Sequence, residues 1–172
     1  MKLTWFGGTT FRIHAGGQVL VVDAEGAPGG IDRTELVSGA DRVFGLADAL
    51  PEAGPRWTPR KVGALIDDAG LPEVLAFRLS DNSVLIEAVG EAPLVIATGD
   101  VPEAGRWGKE AVVIVAGKDL PGTARSAINE IGPRLLALAG GEHAVEATIE
   151  AVRDLLDGTG LMAMEPVLAL EV

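Results

Sequence analysis

His14 and His143 are the only imidazoles in a chain of 172 residues, and there is no cysteine. Zinc-assisted hydrolysis needs imidazole or carboxylate ligands in number, with one position left for a water whose pKa the metal lowers. Two histidines far apart in sequence do not supply such a set. Asp48, Asp100 and Glu142 could in principle form an oxygen site for magnesium or calcium. Carboxylates are abundant here, however, with 25 acidic against 14 basic residues, and the spacing of these three does nothing to bring them together. The lack of cysteine removes thiol nucleophiles, disulfides and thiolate metal sites. No G-x-S-x-G turn is present, and the glycine pairs lack the lysine and flanking pattern of a phosphate loop. His143 opens a helical stretch to Asp157 in which Val145, Ile149, Val152 and Leu156 share one face and Gly158 is the stop. A first-turn histidine there reads as a solvated side chain, and His14 lies in a strand beside Gly16-Gly17.

The elements that would have to position any site begin with Lys2 to Asp23. Leu3, Trp5 and Phe6 form one apolar run, Thr9 to Ile13 a second with partial alternation, and Val19 to Val22 a third after Gly16-Gly17, a hairpin signal. A Gly/Pro-rich loop from Ala24 to Asp32 leads to a turn of helix over Ile31 to Val37 and a strand at Arg42 to Phe44. Glu52 to Lys61 is a polar loop, and Val62 to Ala69 reads as a short helix or an extended segment. From Glu73 the pattern is an antiparallel meander of Val74 to Leu79, Val84 to Val89 and Leu94 to Thr98. Ala111 to Ala116 is a continuous apolar run, as expected of a strand buried on both faces. Thr123 can cap a helix through Ile131, and Arg134 to Ala139 is a second buried strand. Leu161 to Met164 and Val167 to Val172 read as two short strands or one broken edge strand.

Composition bounds the rest. A chain of this length buries roughly 70% of its unfolded surface without a disulfide or structural metal, so residues 1–172 are read as one domain. An apolar fraction of 48% and a mean hydropathy of +0.30 suit a filled core and a subunit interface, so a symmetric homodimer is expected. A net charge of -11 opposes nucleic acid, whose affinity comes largely from Lys and Arg displacing counterions. No run approaches the ~18 apolar residues of a membrane span, and the N-terminal residues carry no leader pattern, so a cytoplasmic protein with no membrane partner is expected.

Three stretches carry a resemblance: the opening strands with Gly7-Gly8-Thr9-Thr10 and Asp23-Ala24, then Ala40-Asp41-Arg42-Val43-Phe44, then Thr98-Gly99-Asp100. Together they resemble the metallo-β-lactamase superfamily, most closely its small UlaG-like hydrolase branch. The resemblance implies a shortened four-layer αββα sandwich of α+β class, with one sheet mainly from each half and helices outside. It also implies a dinuclear zinc site, onto which Gly8, Leu46, Asp48, Leu50, Pro51, Asp100 and Gly140 align. The relatives' H-x-H-x-D-H becomes Leu46, Asp48, Leu50 and Pro51 here, Gly8 and Gly140 replace two further histidines, and His143 falls about three residues late. Leu46 and Leu50 then read as packing at i and i+4 of a helix, and Asp100 as a turn residue that stays exposed or takes a donor such as Arg106. The expectation is a non-catalytic domain with no metal or other cofactor, acting as a binding or oligomeric scaffold for an unknown protein or small-molecule partner. Its vestigial pocket would be Gly8, Leu46, Asp48, Asp100 and Gly140. The alternatives are a metal-dependent hydrolase with an altered ligand set, and a small-molecule binder using the old cleft.

Overall fold

The first sheet follows from alternation. In a computed structural model that describes residues 1–54, 56–61 and 72–172, β1 (Lys2–Gly7), β2 (Thr10–Ala15) and β3 (Gln18–Val22) pair antiparallel in sequence order. Leu3, Trp5, Phe11, Ile13, Ala15, Leu20 and Val22 point inward, while Lys2 and His14 stay exposed on the other side. A period of two with one wet face is what an antiparallel sheet covered on one side requires. After a single turn of 3-10 helix, α1 (Arg33–Val37) crosses the outer face, its N-cap Asp32 accepting from Thr34 N and Glu35 N. β4 (Arg42–Phe44) then adds parallel to β3.

The second sheet is buried on both faces. β5 (Leu75–Ser80), β6 (Ser83–Glu87) and β7 (Leu94–Ala97) form the expected meander, followed by β8 (Val112–Val115), α2 (Leu120–Glu130), β9 (Leu135–Leu138), α3 (Glu142–Val152) and β10 (Gly160–Ala163). β7 to β10 run parallel in the order β10-β9-β8-β7-β6-β5. Every residue of Val112–Val115 is buried because Val112 and Ile114 meet the first sheet while Val113 and Val115 meet the helices. Chain crossovers through helices put an apolar layer on each side, so alternation disappears from the sequence. The last strand, β11 (Ala169–Glu171), returns to the first sheet and pairs antiparallel with β1. The layers are thus helix, sheet, sheet, helix, the αββα order. No described helix is long and apolar enough to cross a membrane.

Several local expectations change. α2 starts at Leu120 with Asp119 as N-cap, accepting from Gly122 N at 3.0 Å, and Pro121 fits the first turn. Thr123 therefore lies inside the helix and is buried. Leu46 and Leu50 do pack against the inter-sheet core, but from a turn, because Asp48 Oδ2 accepts from Gly45 N at 2.8 Å and closes the chain there instead of letting it coil. The two C-terminal strands belong to different sheets, since Met164 is buried between the layers and Glu165 to Leu168 carry the chain across. The expectation over Val62 to Ala69 lies outside the described residues.

Candidate functional site

Strand directions locate the candidate site. β1, β3 and β4 share one direction, and β5, β7, β8, β9 and β10 share another within their own sheet. Two bridges show that the C-terminal ends of both sets coincide. Arg78, near the end of β5, donates from its guanidinium to Asp48 O and, at 3.2 Å, to Ala47 O, and from its main chain to Pro51 O at 2.8 Å. After β10, Met164 N donates to Leu138 O at 2.8 Å and Val167 N to Trp5 O at 2.7 Å. Gly8, Leu46, Asp48, Asp100 and Gly140 each follow the end of a strand on this rim. The structure places them on separate loops, and no hydrogen bond or ion pair is formed between any two of them.

Each position has a local reason for its residue. Gly8 has φ +54, its carbonyl accepts from Trp5 Nε1 at 3.0 Å, and an added Cβ would sit 3.3 Å from Gly26 O. A side chain at position 8 would be strained in this left-handed turn. A Cβ at Gly140 would lie 2.8 Å from Leu120 Cδ2, so α2 already fills the space that an imidazole would need. Leu46 is half-buried against the inter-sheet core. Asp48 is exposed and spends Oδ2 on its own turn. Asp100 is exposed, and its carbonyl accepts from Ser80 Oγ at 3.2 Å. Arg106 opens a 3-10 turn in solvent and makes no hydrogen bond or ion pair to Asp100. His143 is 99% exposed, with Nδ1 3.7 Å from Glu146 Oε2.

The rim holds one arrangement that sequence reasoning marked only as a strand end. Asp23 sits in the left-handed region at φ 53, uncommon for a residue with a side chain. Its N–H donates to Phe44 O at 2.8 Å, its carbonyl accepts from Thr10 Oγ1 at 2.8 Å, and its carboxylate accepts from Thr9 Oγ1. Asp tolerates this conformation better than most residues, and that is the signal an Asp-Ala pair after a strand could have offered. The carboxylate is thereby tied to its neighbours rather than turned toward an ion.

The dinuclear zinc centre implied by the resemblance does not fit these residues. Of the aligned positions only Asp48 and Asp100 carry a donor of the needed type, and among the described residues no three His, Cys, Asp or Glu side chains come together as a ligand group. A cleft of about 630 Å³ lies at the opposite end, where Lys2, His14, Gly16, Gln18 and Glu91 line it.

No family profile and no curated protein sequence matches this chain. Solved structures do, three chains in all, of which two are as follows. One is assigned to the Zn-dependent hydrolases of the metallo-β-lactamase superfamily and comes from Thermotoga maritima; it is 16% identical, with a TM-score of 0.54 over 96% of this chain and 99% of that one. The other is a metallo hydrolase from the archaeon Ignicoccus hospitalis, 14% identical, with a TM-score of 0.49 over 99% of this chain and 98% of that one. At such identities the likeness is one of fold, and the chain has the metallo-β-lactamase-like fold.

Proposed function

We propose that this chain is a metallo-β-lactamase-like domain that has lost the dinuclear metal site and works as a binding or oligomeric scaffold. The observation that supports this reading most is the state of the rim carboxylates. Asp23 accepts from Thr9, Asp48 from Gly45 N and Asp119 from Gly122 N, so each serves its own loop or helix. Two of the positions where the resemblance expects histidine are glycines, one in a left-handed turn and one against Leu120. Asp100 is the one aligned carboxylate not engaged in this way among the described residues, and a single carboxylate does not make a dinuclear site.

The test is metal content together with stability. A folded state without a site gains nothing from metal, so the purified protein is expected to carry no stoichiometric zinc, and chelator is expected to leave its Tm unchanged. One or more tightly held zinc ions per chain, released with a fall in Tm, would replace this reading with that of a hydrolase using an altered ligand set.

A further inference from the structure

A short motif occurs twice in the chain. Pro51-Glu52-Ala53-Gly54-Pro55-Arg56-Trp57 and Pro102-Glu103-Ala104-Gly105-Arg106-Trp107 differ by one inserted proline and lie in different halves of the sequence. The fold brings the two copies together over the outer face of the second sheet. Ala53 and Ala104 both pack on its outer core, and their N–H groups donate to Arg78 O and Glu130 O, each at 2.8 Å. Gly54 O accepts from Trp57 N at 2.8 Å and Gly105 O from Gly108 N at 3.0 Å, so each copy ends in a tight turn. The two tryptophans are half-buried, and their rings meet edge-on with centroids 5.1 Å apart.

Packing accounts for the alanine, the glycine and the tryptophan of the motif, but not for its arginine. Arg56 and Arg106 are exposed, and neither makes a hydrogen bond or an ion pair among the described residues. Residues 56–61 and 106–109 hold five of the chain's 14 basic residues and none of its 25 acidic ones. Of these five, Arg60 is engaged, with Nε 3.0 Å from Glu87 Oε2 and a terminal nitrogen 2.7 Å from Glu73 O. Arg56, Lys61, Arg106 and Lys109 stand exposed. An acidic chain thus gathers cations around two tryptophans, and tryptophan and arginine are the residue types that carry most of the binding energy at protein interfaces.

We propose that this doubled arginine-tryptophan surface docks a short acidic segment of another protein, with an apolar side chain against Trp57 and Trp107 and carboxylates on Arg56 and Arg106. Charge selects that occupant. Elsewhere acidic residues far outnumber basic ones, so an anionic partner is repelled from the rest of the surface and steered here. The arginine forks match carboxylate geometry. Glu52, Glu103 and Glu110 stand exposed beside the two stretches. They leave room for a segment with a few carboxylates and oppose a nucleic-acid strand, whose phosphates would run past them. The proposal rests on the scaffold reading and names the chemistry of its partner. The two remain separable, since metal content tests the one and peptide binding the other.

The probe is the capped heptapeptide Glu-Glu-Asp-Leu-Asp-Glu-Glu, followed by tryptophan fluorescence at low salt. Of the three tryptophans, Trp5 is buried between the sheets, so a saturable change reports Trp57 and Trp107. Binding at about 10–100 µM is expected, weakening as salt is raised. Arg56→Ala and Arg106→Ala should each lower the affinity about tenfold. Their Tm should not change, since the fold holds neither side chain. Arg125→Ala, exposed on α2, should bind as wild type does. No saturable change up to about 1 mM peptide, wild-type affinity in the double variant of Arg56→Ala and Arg106→Ala, or an equal loss in Arg125→Ala would each overturn the proposal. Tighter binding of a short oligothymidylate than of the peptide would overturn it too, by naming nucleic acid as the partner.

Discussion

The outer faces of the two sheets are built to different depths. Over the second sheet, fifteen buried apolar residues among those described join the strands to α2 and α3, and Trp57 meets Phe77 and Trp107 edge-on, at centroid distances of 6.1 and 5.1 Å. Over the first, only Val21, Ala27 and Leu36 are buried together among the described residues, beneath a helix of five residues. Arg12 reinforces that thin layer by donating to Leu36 O at 2.6 Å and Ser38 O at 2.9 Å. The difference shows that the fold needs only one thick outer layer. The other sheet can alternate, leave His14 and Lys2 in water, and depend on the inter-sheet core for its stability.

The largest effect that probes this comparison comes from truncating matched leucines. Leu138→Ala, at a fully buried position of β9, should cost about 4 kcal/mol, and Leu36→Ala, under the thin layer, about 2 kcal/mol, because a small cluster relaxes around the cavity more easily. Urea denaturation giving equal losses would break the contrast. Next comes the buried carboxylate of Glu87, 3% exposed, which Arg60 meets with Nε at 3.0 Å and also with its main-chain N–H. Arg60→Ala should cost about 2 kcal/mol, less than for a fully enclosed pair because Arg60 is 37% exposed. An unchanged denaturation midpoint would show that the second sheet does not need this clamp. Removing caps should cost less again, about 1 kcal/mol for Asp119→Ala on the eleven-residue α2 and about 0.5 kcal/mol for Asp32→Ala on α1. The order would reverse if α1 carried more of the fold than its length suggests. The smallest change is Asp100→Asn, expected within about 0.5 kcal/mol of wild type. A larger loss of stability, or loss of bound metal with it, would mark Asp100 as part of a working site.

Where burial is two-sided or alternating, the sequence announces it. The run Ala111 to Ala116 and the alternation from Phe11 to Ala15 reflect local demands on every residue, and both are legible. The expected cap at Thr123 lies four residues past the true one, although Asp119 followed by Pro121 carries the signal of a cap with proline in the first turn. Other features leave no local mark. Nothing in Ala169–Glu171 says that its partner is β1 rather than β10, since both are short edges and the choice is made by the crossing loop. Of the candidate site, the residue types at the aligned positions are what the sequence makes legible. The reasons for its glycines were not, because the space beside Gly140 is taken by Leu120, twenty residues earlier, and the turn at Gly8 is set by Trp5 and Gly26.

The pairing of Lys2 with Glu171, Leu3 with Leu170 and Thr4 with Ala169 also sets a timetable. During synthesis β1 emerges well before β11, and its outer edge waits for the intervening residues before β11 reaches it. Closing so long a loop is entropically slow, and contacts of this separation form late. The amides of Lys2 to Thr4 should therefore be among the last to gain protection in pulse-labelled refolding, and a chain halted before Ala169 would keep an open edge on β1.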